Sequence, residues 1–363
     1  MNIMHVITSL ERGGAQAVVY DLVVQFQKQG YTQSIVYMHD GPYRERFEIL
    51  HIPMHSITGI ISPFDPIALY QLTQLMRMQR PDYIHTILWA ANWLGRCAAR
   101  ILGISCVVSL HNNYDQNGAV RRMLDRLMPY HAHAIIAVSD EVKQSFNSVY
   151  PNIPVVVIPN GIDVQSVQQS ARQQKKTRAQ LALADTDFVI GSVGRFHPIK
   201  QYPLLLEAFA RVHTQYPHAR LVLIGQGDQE QQLRSYAQQL GIAESVRWII
   251  GQQAYGYYNL FDCFVLTSWK EGISIALLEA MSLGVVPVTT YHSVQHPVIK
   301  SGVNGCVANT DKATVFAAKI ADCIASRELC KRMASSAQHT VQNSFAVQHM
   351  IAAYNRIFRM IQI

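Results

Sequence analysis

Residues 188–224 read FVIGSVGRFHPIKQYPLLLEAFARVHTQYPHARLVLI. Two short apolar runs, Phe188–Val193 and Arg220–Ile224, flank one helical pattern over Gln201–Tyr216. Short apolar runs separated by a helical stretch describe strand, crossover helix and parallel strand. The pattern continues with a helix over Gln229–Leu240 and strands at Val246–Ile250, Cys263–Leu266 and Val285–Thr289.

The same alternation runs through the first half. Asn2–Ser9 reads as a strand, Gly13-Gly14 as a tight turn and Ala15–Gln29 as an amphipathic helix ending at Gly30. Strands are expected at Ser34–Met38, Tyr83–Leu88, Cys106–Leu110, Ala134–Val138 and Val155–Ile158, with helices such as Pro66–Met78 and Asn92–Leu102 between them. Val164–Ala184 is polar and Gln-rich, a linker with a solvated helix, and after it the pattern restarts. The expectation is an α/β chain of two facing Rossmann-like domains with parallel sheets, residues 1–163 and 164–345. The last helical segment, Ala346–Ile361, would fold back so that residues 346–363 complete the first domain. A cleft between the domains is the first place to look for a ligand.

Length and composition agree with this reading. The 363 residues are 49% hydrophobic and 15% charged, a composition for folded cores rather than for a disordered chain. No apolar run approaches the ~20 residues of a membrane helix. Met1–Leu10 lacks a positive leading region and reads as a first strand, not as a leader. Six cysteines form no CxxC pair, as expected of reduced, buried thiols in a cytoplasmic protein. Basic and acidic residues number 12 and 11 in residues 1–160, but 19 and 13 in residues 161–363. The positive excess therefore lies in the second half and suits a phosphorylated small molecule or an anionic membrane. Nucleic acid is disfavoured, because no dense Lys/Arg run is interleaved with aromatics.

Glu271 and Glu279 stand eight positions apart, and Glu279 is the one ionisable residue between Ile273 and Leu283. A carboxylate in so apolar a helix is costly unless donors meet it, and two vicinal ribose hydroxyls would do so. Solvation of Glu279 at the helix edge is the alternative, as is a glycosidase-type carboxylate pair. Gly272 lets a ligand approach the backbone, and Ser274 is a candidate N-cap whose helix amides would face a phosphate.

Arg195 and Lys200 lie in the loop after Phe188–Val193, Lys200 just before a helix. A cation there opposes the helix dipole unless an anion binds. With the forked donor of Arg195 it would suit a diphosphate leaving group; two exposed surface cations are the alternative. Gly13 and Gly14 have a phosphate-approach geometry, although a plain turn needs no ligand. His111 ends the strand Cys106–Leu110, at the edge where active-site residues gather. Asp185-Thr186-Asp187 precedes a strand and reads as a solvated turn rather than a metal site. His131, His133, His292 and His296 have no convincing metal spacing.

In order along the chain, several stretches resemble the retaining GT-B glycosyltransferases of family 4 (glycosyl transferases group 1). They are Gly13-Gly14-Ala15-Gln16, Ser109-Leu110-His111-Asn112, Ile158–Asp163, Gly194–Lys200, Leu221–Asp228 and Glu271–Gly284. The Glu-x7-Glu element followed by Gly-x-x-Pro-Val carries most of the resemblance. It implies that Glu279 holds the donor ribose and that Glu271, with Gly272, Ile273 and Ser274, meets the transferred sugar and phosphate. It also implies that Arg195 and Lys200 bind the diphosphate, that Gly13 and Gly14 give close backbone access, and that His111 lies near the reacting sugar carbon. The implied reaction retains anomeric configuration and needs no metal and no cofactor beyond the nucleotide-sugar donor. That donor would be a UDP-hexose or UDP-N-acetylhexosamine, and the acceptor a surface glycan or lipid-linked saccharide.

Two departures stand out. Gln16 replaces a common Glu, and Tyr291–His296 replaces a Gly-rich turn. A dehydrogenase would need GxGxxG with an acidic residue about 20 positions on, and neither half has the pair. An epimerase, a phosphorylase or a non-catalytic sugar-nucleotide module on the same fold remain as alternatives. Arg121, Arg122 and Arg126 beside Leu124, Leu127 and Met128 would suit peripheral contact with an anionic membrane, or an ordinary amphipathic helix facing its own core.

Overall fold

The computed structural model describes residues 1–58, 65–114, 132–269, 272–290 and 298–361. It divides into two compact units, Met1–Asn160 with Val347–Ile363, and Gly161–Ala346. Among the described residues, the first unit has seven strands: β1 Asn2–Ser9, β2 Thr32–His39, β3 Met54–Ser56, β4 Tyr83–Ile87, β5 Ser105–Leu110, β6 Ala134–Ala137 and β7 Val156–Val157. Their spatial order is β3-β2-β1-β4-β5-β6-β7, and every pair is parallel. The second unit has β8 Phe188–Val193, β9 Ala219–Gly225, β10 Val246–Ile250, β11 Cys263–Leu266, β12 Val286–Thr290 and β13 Cys306–Ala308, in the order β10-β9-β8-β11-β12-β13. Every pair here is parallel as well.

Both sheets are therefore Rossmann-like, and the local chemistry explains why. In β1, Ile3, Met4, Val6 and Ile7 are all buried, so apolar side chains leave both faces. That pattern needs helices on both sides, which parallel crossovers supply. Helix Gly14–Lys28 buries Val18, Val19, Leu22, Val23 and Phe26 on one stripe, and helix Tyr202–Gln215 does the same with Leu205, Leu206, Phe209 and Val212. In each sheet the strand order reverses between the first and fourth strand, at β1/β4 and β8/β11. Ligands of open α/β sheets bind outside the carboxyl ends of strands at such a reversal.

Helix Val347–Ile361 belongs to the first unit. Phe358 packs against Tyr83 with ring centres 5.3 Å apart and the rings tilted by 44°, and the Tyr83 hydroxyl donates to the Phe358 carbonyl at 3.2 Å. Tyr31 donates to Asn355 at 3.1 Å, and Asn355 donates to Gln29 at 3.0 Å. Before this helix the chain is pinned within the second unit, where Ile162 N–H donates to the Phe345 carbonyl at 2.9 Å.

All six cysteines are buried, and none is joined to another in a disulfide. Among the described residues, no helix is long and apolar enough to cross a membrane. The arginine cluster at 121, 122 and 126 lies outside the described residues, as do Glu271, His131 and the Tyr291–His296 departure.

Candidate functional site

At the second unit's strand reversal, backbone bonds and a buried aromatic hold the loop after β8. Gly194 N–H donates to the Ile224 carbonyl at 3.0 Å, and Phe196 N–H donates to the Gln226 carbonyl at 2.9 Å. The buried Tyr202 hydroxyl donates to the Gly194 carbonyl at 3.0 Å. The neighbouring turn leaves no room for a side chain at Gly225 or Gly227. A Cβ on Gly225 would sit 2.0 Å from the Gly194 oxygen, and one on Gly227 would sit 2.4 Å from the Phe196 oxygen.

Arg195 is exposed, and Lys200 is half-buried at the end of the 3-10 turn Pro198–Lys200. Gln201 follows with a left-handed φ of 52°, and helix Tyr202–Gln215 then begins, so Lys200 stands two residues ahead of it. A Cβ on Gly194 would lie 3.4 Å from Lys200 Cε, so the lysine stem folds back over the strand exit. His197 caps the turn, its Nδ1 accepting from Ile199 N–H at 3.3 Å. Its pKa is lowered first by desolvation, then by Arg195 against the opposing pull of Asp228, and further by Lys200. Both cations thus act on one small electropositive loop.

That loop is tied to the exit of β11. Thr267 Oγ1 donates to the Lys200 carbonyl at 2.8 Å, and Trp269 N–H donates to the Ile199 carbonyl at 2.9 Å. Thr290 Oγ1, at the end of β12, donates to the Ser268 carbonyl at 2.8 Å. The chain then passes Gly272 and the buried Ile273 into helix Ile275–Ser282. Ser274 occupies the N-cap with extended backbone (φ −71°, ψ 122°), and its side chain makes no capping bond. An eight-residue helix is not stable alone. Its far end is closed by Gly284 at φ 77°, with Val285 N–H donating to the Ala280 carbonyl at 3.0 Å and Gln338 donating to the Ser282 carbonyl at 3.2 Å.

Glu279 is half-buried on this helix and meets a partner that sequence reasoning did not name. The Tyr258 hydroxyl, on a fully buried ring, donates to Glu279 Oε2 at 2.8 Å. Burial, and then the Glu279 charge, push the Tyr258 phenol well above its ordinary range, so it keeps its proton. The available signal was the aromatic run Tyr255–Tyr258 just before β11.

In the first unit, Gly13 is the extended N-cap of helix Gly14–Lys28, at φ −171°. The Gln16 amide donates to the Ser9 carbonyl at 2.9 Å, so the departure from Glu makes a loop contact that a carboxylate could not make. A Cβ on Gly13 would lie 2.5 Å from Gln16 Oε1. His111 directly follows β5, its Nε2 is buried, and desolvation lowers its pKa to about 4. It is a neutral imidazole at neutral pH.

The carboxyl ends of the strands thus collect two groups of residues. Arg195, Lys200, Gly272, Ile273, Ser274 and Glu279 lie around β8 and β11 of the second unit, and Gly13, Gly14 and His111 follow β1 and β5 of the first. The Asp-x-Asp stretch is used elsewhere. Asp187 accepts from Ala184 N–H at 2.8 Å and faces Arg220 at 3.5 Å, ahead of β8. His133 Nδ1 accepts from Cys106 N–H at 3.2 Å, at the start of β5.

Residues 12–166 match the family Glycosyltransferase Family 4, and residues 173–340 match Glycosyl transferases group 1. The chain is 29% identical over 208 residues to the Vi polysaccharide biosynthesis protein VipC/TviE of Salmonella typhi, covering 54% of this chain and 35% of that protein. It is 26% identical over 252 residues to the UDP-Gal:alpha-D-GlcNAc-diphosphoundecaprenol alpha-1,3-galactosyltransferase of Escherichia coli, covering 66% of this chain and 62% of that one. The alignments thus span between about a third and two thirds of these curated relatives' length. The fold is shared with Anabaena Alr3699/HepE in complex with UDP-glucose, at a TM-score of 0.87 and 22% identity over 100% of this chain and 99% of that one. With two matched families covering nearly the whole chain on a GT-B fold, the protein belongs to the group 1, family 4 glycosyltransferases.

Proposed function

We propose that the chain transfers a sugar from a nucleotide diphosphate sugar to a hydroxyl of a surface glycan or lipid-linked saccharide, with retention at the anomeric carbon. The observation that carries this reading is the tie between the loop of Arg195 and Lys200 and the exit of β11. The tie joins the loop that carries both cations to the segment leading into the helix of Glu279, whose carboxylate Tyr258 holds. Cations and helix amides suit a diphosphate whose charge grows as it leaves. A carboxylate oriented by a phenol suits two vicinal hydroxyls, each of which can donate to it.

In this reading the second unit binds the donor and the first the acceptor. Glu279 holds the ribose, and Arg195 and Lys200 hold the diphosphate. Glu271 with Gly272, Ile273 and Ser274 meets the transferred sugar and its phosphate. Gly13 and Gly14 give backbone access, and neutral His111 positions the sugar near its reacting carbon. The leaving phosphate oxygen takes the acceptor's proton on the same face, and no metal is needed, since the cations and amides stabilise the charge.

The donor is a UDP-hexose or UDP-N-acetylhexosamine. A UDP-glucose complex of a structural neighbour and a UDP-Gal-using relative support UDP as the carrier. Mass spectrometry of reactions offered UDP- and GDP-sugars, with and without chelator, tests this. Turnover of a UDP-sugar that survives chelation is expected. Turnover of a GDP-sugar alone, or none with any sugar nucleotide, overturns it.

A further inference from the structure

A single file of hydrogen-bonded side chains crosses one face of the first unit's sheet. Gln33 on β2, His5 on β1, His85 on β4 and Ser109 on β5 occupy four adjacent strands, and Tyr354 on helix Val347–Ile361 closes the row. His5 Nε2 lies 3.0 Å from Gln33 Oε1, the two histidine Nδ1 atoms are 3.1 Å apart, and His85 Nε2 is 2.7 Å from Ser109 Oγ. Ser109 Oγ lies 2.9 Å from the Tyr354 hydroxyl. All five side chains are buried.

With both buried rings neutral, elementary bonding rules order the protons along this file. The Val23 carbonyl can only accept, so the Gln33 nitrogen faces it, at 2.9 Å, and Gln33 Oε1 faces His5. His5 Nε2 must then carry a hydrogen. Burial keeps both rings neutral: desolvation lowers His5 to about 4 and holds His85 well below its ordinary value, with His5 and His111 adding to the effect on His85. A neutral His5 leaves Nδ1 bare, so it accepts from His85 Nδ1–H. His85 Nε2 is then bare and accepts the Ser109 proton, and Ser109 Oγ accepts from Tyr354. Burial pushes the Tyr354 phenol up to about 12, so it remains a donor. The polarity runs one way, from Tyr354 to the Val23 carbonyl.

We propose that this file is a positioning relay for His111, with Tyr354 of the C-terminal helix as its terminal positioning residue. It rests on the reading of His111 as the histidine beside the reacting sugar. Ser109 lies on β5 one residue before its end and His111 directly follows the strand, and His111 is close enough to His85 to act on its charge. The Ser109 carbonyl also accepts from Asn92 Nδ2 at 3.2 Å. An apolar row could hold the helix without desolvating two imidazoles. A polar row in which each bond requires the next fixes one register, because an unmade bond in a dry interior is penalised.

The test uses full-length protein with ¹⁵N-labelled histidine. His85 is expected as the Nδ1–H tautomer and His5 as the Nε2–H tautomer. Tyr354→Phe is expected to lower kcat about tenfold or more with donor KM unchanged, and Ser109→Ala to do the same, while Ser109→Thr, which keeps the hydroxyl, restores most of the rate. His85 carrying its proton on Nε2, or Tyr354→Phe turning over like wild type, overturns the proposal. If wild type turns over no sugar nucleotide, the His111 ring resonance is the readout. It moves in Tyr354→Phe under the proposal, and an unmoved resonance overturns it. Failure of the glycosyltransferase reading and failure of the relay are thereby told apart.

Discussion

Tyr258 reaches Glu279 from inside the second unit's core, its hydroxyl donating to Oε2 at 2.8 Å, while the carboxylate itself is only half-buried. One carboxylate oxygen is thus oriented by a rigid, fully buried ring before any ligand arrives. A hydrogen bond to a charged group contributes about 1.5–3 kcal/mol. Tyr258→Phe should therefore weaken UDP binding by about tenfold, and Glu279→Gln by more, with unfolding midpoints close to wild type for Glu279→Gln. Titration calorimetry of both variants checks this; unchanged affinity in Glu279→Gln rules out the ribose role.

Lys200 offers a cleaner separation of chemistry from folding. Its carbonyl accepts from Thr267, a tie to β11 that an alanine at this position keeps. Lys200→Ala should lower kcat by about a hundredfold or more while the thermal midpoint stays near wild type. Steady-state kinetics alongside thermal denaturation decides it, and a variant with full activity removes Lys200 from the site.

Gly225 is a steric prediction. A Cβ there would lie 2.0 Å from the Gly194 oxygen, a backbone atom that cannot turn aside. Gly225→Ala should force the turn after β9 away from the loop of Arg195, lowering stability by about 1–3 kcal/mol and weakening UDP binding with it. Urea denaturation and calorimetry give the two readings; an alanine tolerated in both would show that the two turns are not locked together.

Much of the fold is legible in the sequence because parallel strands buried on both faces are continuous apolar runs. Asn2–Ser9, Phe188–Val193, Val246–Ile250 and Cys263–Leu266 are strands over the very residues whose composition suggests them. Met54–Ser56 and Cys306–Ala308 are not legible, since three residues carry no period, and the helices at Ala313–Ala325 and Arg327–Ser344 went unassigned beside them. In the site, the spacing of Arg195, Lys200 and Glu279 is local and readable. The Tyr258 partnership and the His5–His85 file are long-range side-chain meetings, made by strand order, and neither leaves a periodic trace. Gln16 is intermediate: the departure is visible in sequence, but its contact with the Ser9 carbonyl is not.

Neutral, buried histidines should make stability fall in acid. His5 has a folded pKa of about 4 against an ordinary 6.5, so between those values the unfolded chain binds more protons. The contribution is complete above pH 6.5 and is lost as pH falls toward 4, amounting to about 3 kcal/mol for His5. His85 and His111, also lowered by burial, act in the same direction. Urea midpoints at pH 7.5, 6 and 5 should decline in that order; a flat profile would mean these imidazoles are charged or hydrated in the native state.

Calorimetric titration of UDP, GDP and NAD(P) into the full-length protein tests the central assignment most directly. Saturable UDP binding that Lys200→Ala and Glu279→Ala each weaken at least tenfold is the expected result. Tight NAD(P) binding with no response to UDP or GDP contradicts it.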